Sequence, residues 1–102
     1  MDWNKKEYQR LVTAILSLES SDEAERFLRD LTTETEIVEL AKRFQTAEML
    51  TEKIPYSLIE KKTGLSSTTV ARVSKWLNGK RGGYRTVINK LHHRSISVAR
   101  GD

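Results

Sequence analysis

Hydrogen-bonding side chains are concentrated on one side of a helix that the sequence predicts over residues 67–77. At 100° per residue, the apolar side chains of this helix share one face: Val70, Val73 and Leu77. The opposite face carries hydroxyl, small and cationic side chains: Thr68, Ala71, Arg72 and Lys75. Ser67 and Thr68 can approach base edges in a major groove, and Arg72 can bind guanine or phosphate. This face is therefore a candidate contact with nucleic acid.

A second group of polar residues is better suited to phosphate than to bases. It consists of Ser66, Lys75, Lys80, Arg81 and Arg85. Phosphate contacts fix the register of a protein on a duplex without reading its sequence. The simpler alternative is that the cations of this helix, Arg72 and Lys75, are ordinary solvated side chains. The motif and the charge distribution described below favour contact with DNA.

Charge is divided unevenly along the chain. Residues 1–52 contain seven Lys/Arg and twelve Asp/Glu, a net charge of −5, whereas residues 53–102 contain eleven and two, a net charge of +9. Interspersed charges of both signs would be enough for solubility. A strongly basic half indicates a polyanionic partner, for which a phosphate backbone is the usual candidate.

The basic half contains the pattern of a helix-turn-helix unit, predicted at residues 56–78. Two helices, Tyr56–Lys62 and Ser67–Leu77, flank a short turn in which Gly64 can adopt the left-handed conformation that reverses the chain. Ser66 then provides an N-cap for the second helix. The spacing of the apolar residues in both helices lets them share one small core.

The remaining sequence predicts further helices and no strand. A helical period covers residues 5–18, and Ser21 is the predicted N-cap of a short second helix. Thr33 and Glu36 have the spacing of a capping box, which opens a long helix to about Glu52. A last helix is predicted over residues 84–92. We therefore expect one all-α domain at residues 1–94, followed by a flexible tail at 95–102.

Other chemistries have little support. The absence of cysteine excludes disulfides, thiolate metal sites and cysteine nucleophiles. His92 and His93 point about 100° apart on a helix, so they cannot share a metal as a pair four residues apart would. No glycine-rich phosphate loop or activated nucleophile is visible, and we expect neither a metal nor enzymatic activity. Without a signal peptide or a membrane-length apolar run, we expect a cytoplasmic protein.

Two stretches of the sequence carry a resemblance to a known family. They are LTTETEIVELAKRFQTAEML and IPYSLIEKKTGLSSTTVARVSKWLNGKRGGY. The region from Leu31 to Leu91 resembles the Trp repressor superfamily, and within it the branch of short, stand-alone bacterial proteins. The resemblance implies about six helices per subunit. It also implies an intertwined homodimer that presents two helix-turn-helix units to successive major grooves.

The resemblance also implies positions for an effector. In the Trp repressor two arginines flank the bound tryptophan, and they correspond here to Arg43 (or Lys42, if the gap is placed differently) and Arg72. A glycine that leaves space for the ligand is replaced by Val73, and a small hydroxyl residue by Trp76. We expect these larger side chains to fill the site, so that tryptophan is not a corepressor. For Arg43, we favour an ion pair with Glu39 over ligand binding.

The sequence thus predicts a homodimeric protein that binds double-stranded DNA through the helix at residues 67–77, a transcriptional regulator acting as a repressor in the cytoplasm, at the nucleoid. Two alternatives remain open. One is a dimeric protein-interaction module, which would be insensitive to charge reversal at Lys75, Lys80 and Arg81. The other is an RNA-binding protein, since charge alone does not distinguish the two polymers.

Overall fold

The computed structural model describes the backbone of residues 1–101 and the side chains of residues 1–93. It contains six helices: α1 (Lys6–Leu16), α2 (Ser21–Leu31), α3 (Glu34–Thr51), α4 (Tyr56–Thr63), α5 (Ser67–Leu77) and α6 (Gly83–Gly101). No strand occurs in residues 1–101. The predicted all-α class with six helices is therefore confirmed. The chain divides into two compact units, Met1–Ile37 and Val38–Asp102, and the single domain at residues 1–94 stays a prediction.

The first unit leaves its apolar side chains uncovered. Neither α1 nor α2, both of which are fully described, contains a buried residue. Ile15 is 52% exposed and Leu16 78% exposed, although they lie on the apolar stripe of an amphipathic helix. Leu28 and Leu31 of α2 are exposed as well. Stripes of this kind are normally covered by another element or another chain.

The helices α2 and α3 begin at side-chain caps, whereas α1 has none. Ser20, rather than the predicted Ser21, caps α2, since its hydroxyl oxygen accepts a hydrogen bond from the backbone N–H of Glu23 at 3.1 Å. The prediction was wrong by one residue, and the Glu23 carboxylate supports the earlier start by accepting a hydrogen bond from the backbone N–H of Glu19 at 3.1 Å. The predicted capping box of Thr33 and Glu36 is confirmed by reciprocal hydrogen bonds of 3.1 and 2.9 Å.

The capping box makes part of the stability of α3 dependent on pH. Hydrogen bonds from the backbone and the hydroxyl of Thr33 lower the pKa of Glu36 below its usual value of 4.5. A lowered pKa in the folded state stabilises the protein above pH 4.5, and this contribution is lost as the pH falls through the folded-state pKa.

We expect Glu36→Ala to lower the free energy of unfolding above pH 4.5. The difference in free energy of unfolding from the unsubstituted protein should become progressively smaller as the pH is lowered. Urea unfolding at a series of pH values measures the difference. Glu36→Gln is the matched control, because the amide oxygen still accepts a hydrogen bond but does not titrate. A constant difference between Glu36→Ala and the unsubstituted protein across this range would contradict the prediction.

The second unit has a small core that fixes the positions of α4 and α5. Met49, Ile59, Leu65 and Val70 are buried together, and the partly buried Leu50 and Ile54 pack against them. Complete burial of an aliphatic side chain contributes roughly 1.5–3 kcal/mol, so this cluster stabilises the packing of α4 and α5 against the end of α3. The end of α3 is thereby attached to the two helices that carry the candidate site.

The final helix is longer than predicted. α6 starts at Gly83 and continues to Gly101, whereas the sequence predicts an end at about His92. The apolar period ends near Leu91, but no proline or glycine follows until Gly101, so nothing in the sequence breaks the helix. The predicted flexibility of the tail at residues 95–102 lies outside the residues whose side chains are described and stays a prediction. In the described part of the chain, no helix has the length and apolarity needed to cross a membrane.

Candidate nucleic-acid interface

The turn between α4 and α5 has the predicted left-handed glycine. Gly64 has φ +74° and donates a backbone hydrogen bond to the carbonyl of Glu60 at 2.8 Å, which ends α4. No heavy atom lies within 4 Å of the place that a Cβ would occupy. Glycine is therefore favoured here by the backbone conformation alone. The buried hydroxyl of Thr63 accepts a hydrogen bond from the N–H of Leu65, which supports the turn from inside.

The start of α5 is fixed by a serine cap. The hydroxyl oxygen of Ser66 accepts a hydrogen bond from the N–H of Thr69 at 3.2 Å and lies 3.1 Å from the Thr69 hydroxyl. The predicted N-cap is therefore confirmed, and α5 spans Ser67–Leu77 as expected. Because this hydroxyl is engaged in capping, a phosphate contact by Ser66 stays a prediction. A helix N-terminus also offers backbone N–H groups to an anion.

The two faces of α5 are divided as the helical wheel predicts. Val70 is completely buried, Val73 is 3% exposed and Leu77 is 5% exposed. The polar face is exposed to solvent: Ser67, Thr68, Ala71, Arg72 and Lys75. Within the described residues, neither cation of this face forms an ion pair. The side chains of this face are thus available to a partner.

The loop after α5 adds two exposed cations, Lys80 and Arg81, and the first turn of α6 adds a third, Arg85. Arg85 is exposed as well, but it donates a hydrogen bond from Nη1 to the backbone carbonyl of Leu77, the last residue of α5. The sequence predicts only a phosphate contact for Arg85, so this bond was missed. An arginine that follows a helix C-terminus across a glycine-containing loop was the available signal.

The two residues predicted to fill an effector site differ in burial. Val73 is buried in the core, whereas Trp76 is 58% exposed. That these side chains together fill such a site stays a prediction. Trp76 lies about 90° from the buried face of α5, so its ring points to the flank of the helix. The preferred alternative for Arg43 is confirmed, since its Nε lies 3.4 Å from a carboxylate oxygen of Glu39. This contact is an ion pair without a hydrogen bond, and the buried Nε has no hydrogen-bond acceptor among the described residues.

A separate cleft of about 400 Å³ lies between α3 and α6. Its walls include the carboxylates of Glu48 and Glu52, the apolar Ile88 and the imidazole of His92. Despite this combination, no group of three His, Cys, Asp or Glu side chains in the described part of the chain is placed to hold a metal ion.

Two helices that cross at a glycine turn, with a cationic second helix exposed, define this chain as a protein with a helix-turn-helix unit. The chain matches the family described as Trp repressor protein over residues 6–92. It therefore belongs to the Trp repressor family, as its sequence indicates.

Similar proteins agree with this assignment. The uncharacterised protein YerC of Bacillus subtilis (strain 168) is 40% identical over 86 residues, covering 84% of this chain and 83% of YerC. The crystal structure of a TrpR-like protein from Eubacterium eligens ATCC 27750 has a TM-score of 0.83 at 40% identity, covering 88% of this chain and 93% of that one. A candidate Trp repressor from Staphylococcus aureus has a TM-score of 0.83 at 30% identity, covering 90% and 95%.

Proposed function

We propose that this protein is a transcriptional regulator that binds a specific sequence of double-stranded DNA as a homodimer and represses by occupying an operator. The observation that carries the proposal is the exposed polar face of α5. It presents Thr68, Arg72 and Lys75, and neither cation forms an ion pair among the described residues. Membership of the Trp repressor family supports it. Such a regulator acts in the cytoplasm, at the nucleoid.

In the proposed complex, α5 enters the major groove with its N-terminus leading. Ser67 and Thr68 approach base edges, and the guanidinium of Arg72 binds guanine through two parallel hydrogen bonds. Lys75, Lys80 and Arg81 bind phosphates on either side and release counterions, so affinity should fall steeply with salt. Specificity and affinity are thereby assigned to different side chains of one surface.

The uncovered stripes of α1 and α2 support the homodimer. An amphipathic helix with no buried residue gains little stability within its own chain, whereas a second copy can cover it. A two-fold symmetric dimer would present two copies of α5 about 34 Å apart, one turn of the duplex. The operator should accordingly have two related half-sites.

We also propose that tryptophan is not a corepressor of this protein. Val73 lies in the core where the tryptophan-binding relative has a glycine, and the charge of Arg43 is already paired with Glu39. The residues present do not fit the ligand. Titration calorimetry with L-tryptophan should show no binding at micromolar concentration, and clear micromolar binding would prove this wrong. The protein must first be shown to be folded, so that the absence of binding heat is not caused by unfolded protein.

The function is tested by selecting bound sequences from random duplexes and measuring affinity for the selected sequence by fluorescence anisotropy. A scrambled duplex, a single strand and an RNA hairpin serve as competitors at two salt concentrations. We expect the selected duplex to bind best by a factor of about 10³ or more. Equal competition by RNA or by scrambled DNA would contradict the proposal.

Charge reversal distinguishes DNA binding from protein interaction. Lys75→Glu and Arg81→Glu should each weaken duplex binding and lower the slope of affinity against salt by about one unit or more. Lys6→Glu, which reverses an exposed cation at the start of α1, is the matched control. Insensitivity of all three variants would support the protein-interaction module instead.

A further inference from the structure

The hydrogen bond of Arg85 joins the first turn of α6 to the last residue of α5. The final carbonyls of a helix lack donors within the helix, and here the N–H groups of Asn78 and Gly79 bind the carbonyls of Ser74 and Trp76. The carbonyl of Leu77 receives the guanidinium of Arg85. A cation is favourable at the C-terminal end of a helix dipole and unfavourable in the first turn of its own helix. The location of Arg85 is therefore explained by α5 rather than by α6.

Gly82 allows the loop to close over this guanidinium. It is buried and has φ +64°, a conformation that favours glycine. A Cβ at Gly82 would lie 2.7 Å from Nη2 of Arg85 and 3.3 Å from its Cζ. The loop backbone and the arginine thus occupy adjoining space with no room for a side chain between them. Lys80 and Arg81 directly precede this contact.

The same turn of α6 is attached to α3. The rings of Tyr84 and Phe44 are 6.5 Å apart between centroids, at an interplanar angle of 40°. Aromatic pairs at this separation stabilise the packing of the elements that carry them. The first turn of α6 therefore contacts α3 through Tyr84 and the end of α5 through Arg85, and it bridges the long helix and the DNA-facing helix.

We propose that Arg85 is a positioning residue for DNA recognition, and not a phosphate contact. By holding the end of α5 and the loop at residues 80–82, it sets the direction of α5 and the places of Lys80 and Arg81. This inference rests on the proposed function. The sequence-based expectation was a phosphate contact, which would change the salt dependence of DNA binding. A positioning role for Arg85 should instead change the preference for one DNA sequence over another.

The first test does not involve DNA. Hydrogen exchange of the Asn78 and Gly79 amides is measured in the unsubstituted protein, Arg85→Met and Arg85→Lys. Because methionine cannot donate to Leu77, we expect these amides to exchange roughly tenfold faster in Arg85→Met. Lysine retains a donor and a charge and should restore most of the protection. Unchanged exchange in Arg85→Met would show that the bond does not hold the end of α5.

The second test separates positioning from charge. We compare Arg85→Met with Arg81→Met, an expected phosphate contact, and with Lys90→Met, an exposed cation on α6. Arg85→Met should reduce the preference for the selected duplex over the scrambled one about tenfold, with the salt slope unchanged. Arg81→Met should lower the slope by about one unit at constant preference, and Lys90→Met should change neither. If Arg85→Met behaved like Arg81→Met, the proposal would be overturned.

Gly82→Ala tests the contact from its other side. The added methyl group meets the guanidinium, and alanine is also strained at φ +64°, so this variant should lose at least as much preference as Arg85→Met does. In the double variant, only the backbone strain remains to add to the loss from Arg85→Met, so the total loss should be smaller than the sum of the two single losses. Additive losses would contradict the proposal.

If the unsubstituted protein bound no duplex at all, the proposed function would fail, whereas the exchange experiment would still decide the role of Arg85 at the end of α5.

Discussion

Arg72→Ala should lower the affinity for the selected duplex by about 1–3 kcal/mol and relax the preference at one base pair of each half-site. The guanidinium lies on the exposed face of α5, near the middle of the helix, without an intramolecular carboxylate partner among the described residues. Removing it costs the contact with the base rather than the folding of α5, whose buried face is unchanged.

The measurement is a second selection from random duplexes, made with Arg72→Ala. Lys61→Ala removes an exposed cation from α4 and is the matched control, which should retain the full set of base preferences. A uniform loss of affinity across all sequences would reassign Arg72 to phosphate. If neither affinity nor preference changed, α5 would not be the reading helix.

Ile15→Asp should dissociate the proposed homodimer and abolish DNA binding at concentrations where the unsubstituted protein is dimeric. Ile15 lies in the centre of the apolar stripe of α1 and is 52% exposed in a single chain. Burial of an isoleucine contributes roughly 1.5–3 kcal/mol, and a two-fold dimer contains the position twice. The substitution also introduces a charge that a covered interface would have to desolvate.

Sedimentation velocity at several protein concentrations measures this effect. Thr13→Asp places the same charge on the opposite, exposed face of α1 and should leave the mass of the sedimenting dimer unchanged. The prediction is contradicted if Ile15→Asp sediments like the unsubstituted protein. A monomeric unsubstituted protein would contradict the homodimer itself.

The order of the helices and the bounds of the helix-turn-helix unit were predictable because their signals are local. Gly64, Ser66 and the spacing of the valines in α5 act within a few residues of each other. Thr33 and Glu36 act across one turn. Such signals are readable in a single sequence. They placed the ends of α4 and the start of α6 to within one residue, and the cap of α2 was misplaced by one residue because two serines, Ser20 and Ser21, stand side by side there.

The parts that sequence did not predict depend on packing between elements. The bond from Arg85 to Leu77 spans two helices and a loop, and no local rule directs it. The exposed position of Trp76 depends on which flank of α5 the core leaves open, which a helical wheel does not decide. The length of α6 was underestimated because its end was predicted from the last regularly spaced apolar residue. The helix itself continues until a helix-breaking residue occurs.

The exposed apolar stripes of α1 and α2 affect how a newly synthesised chain folds. On the homodimer proposal, folding of the N-terminal region waits for an encounter with a second copy, so assembly and folding are one event. The temperature of half-unfolding then rises with protein concentration. On that proposal, a chain that finds no second copy remains accessible to proteases, and this limits how much unassembled protein accumulates.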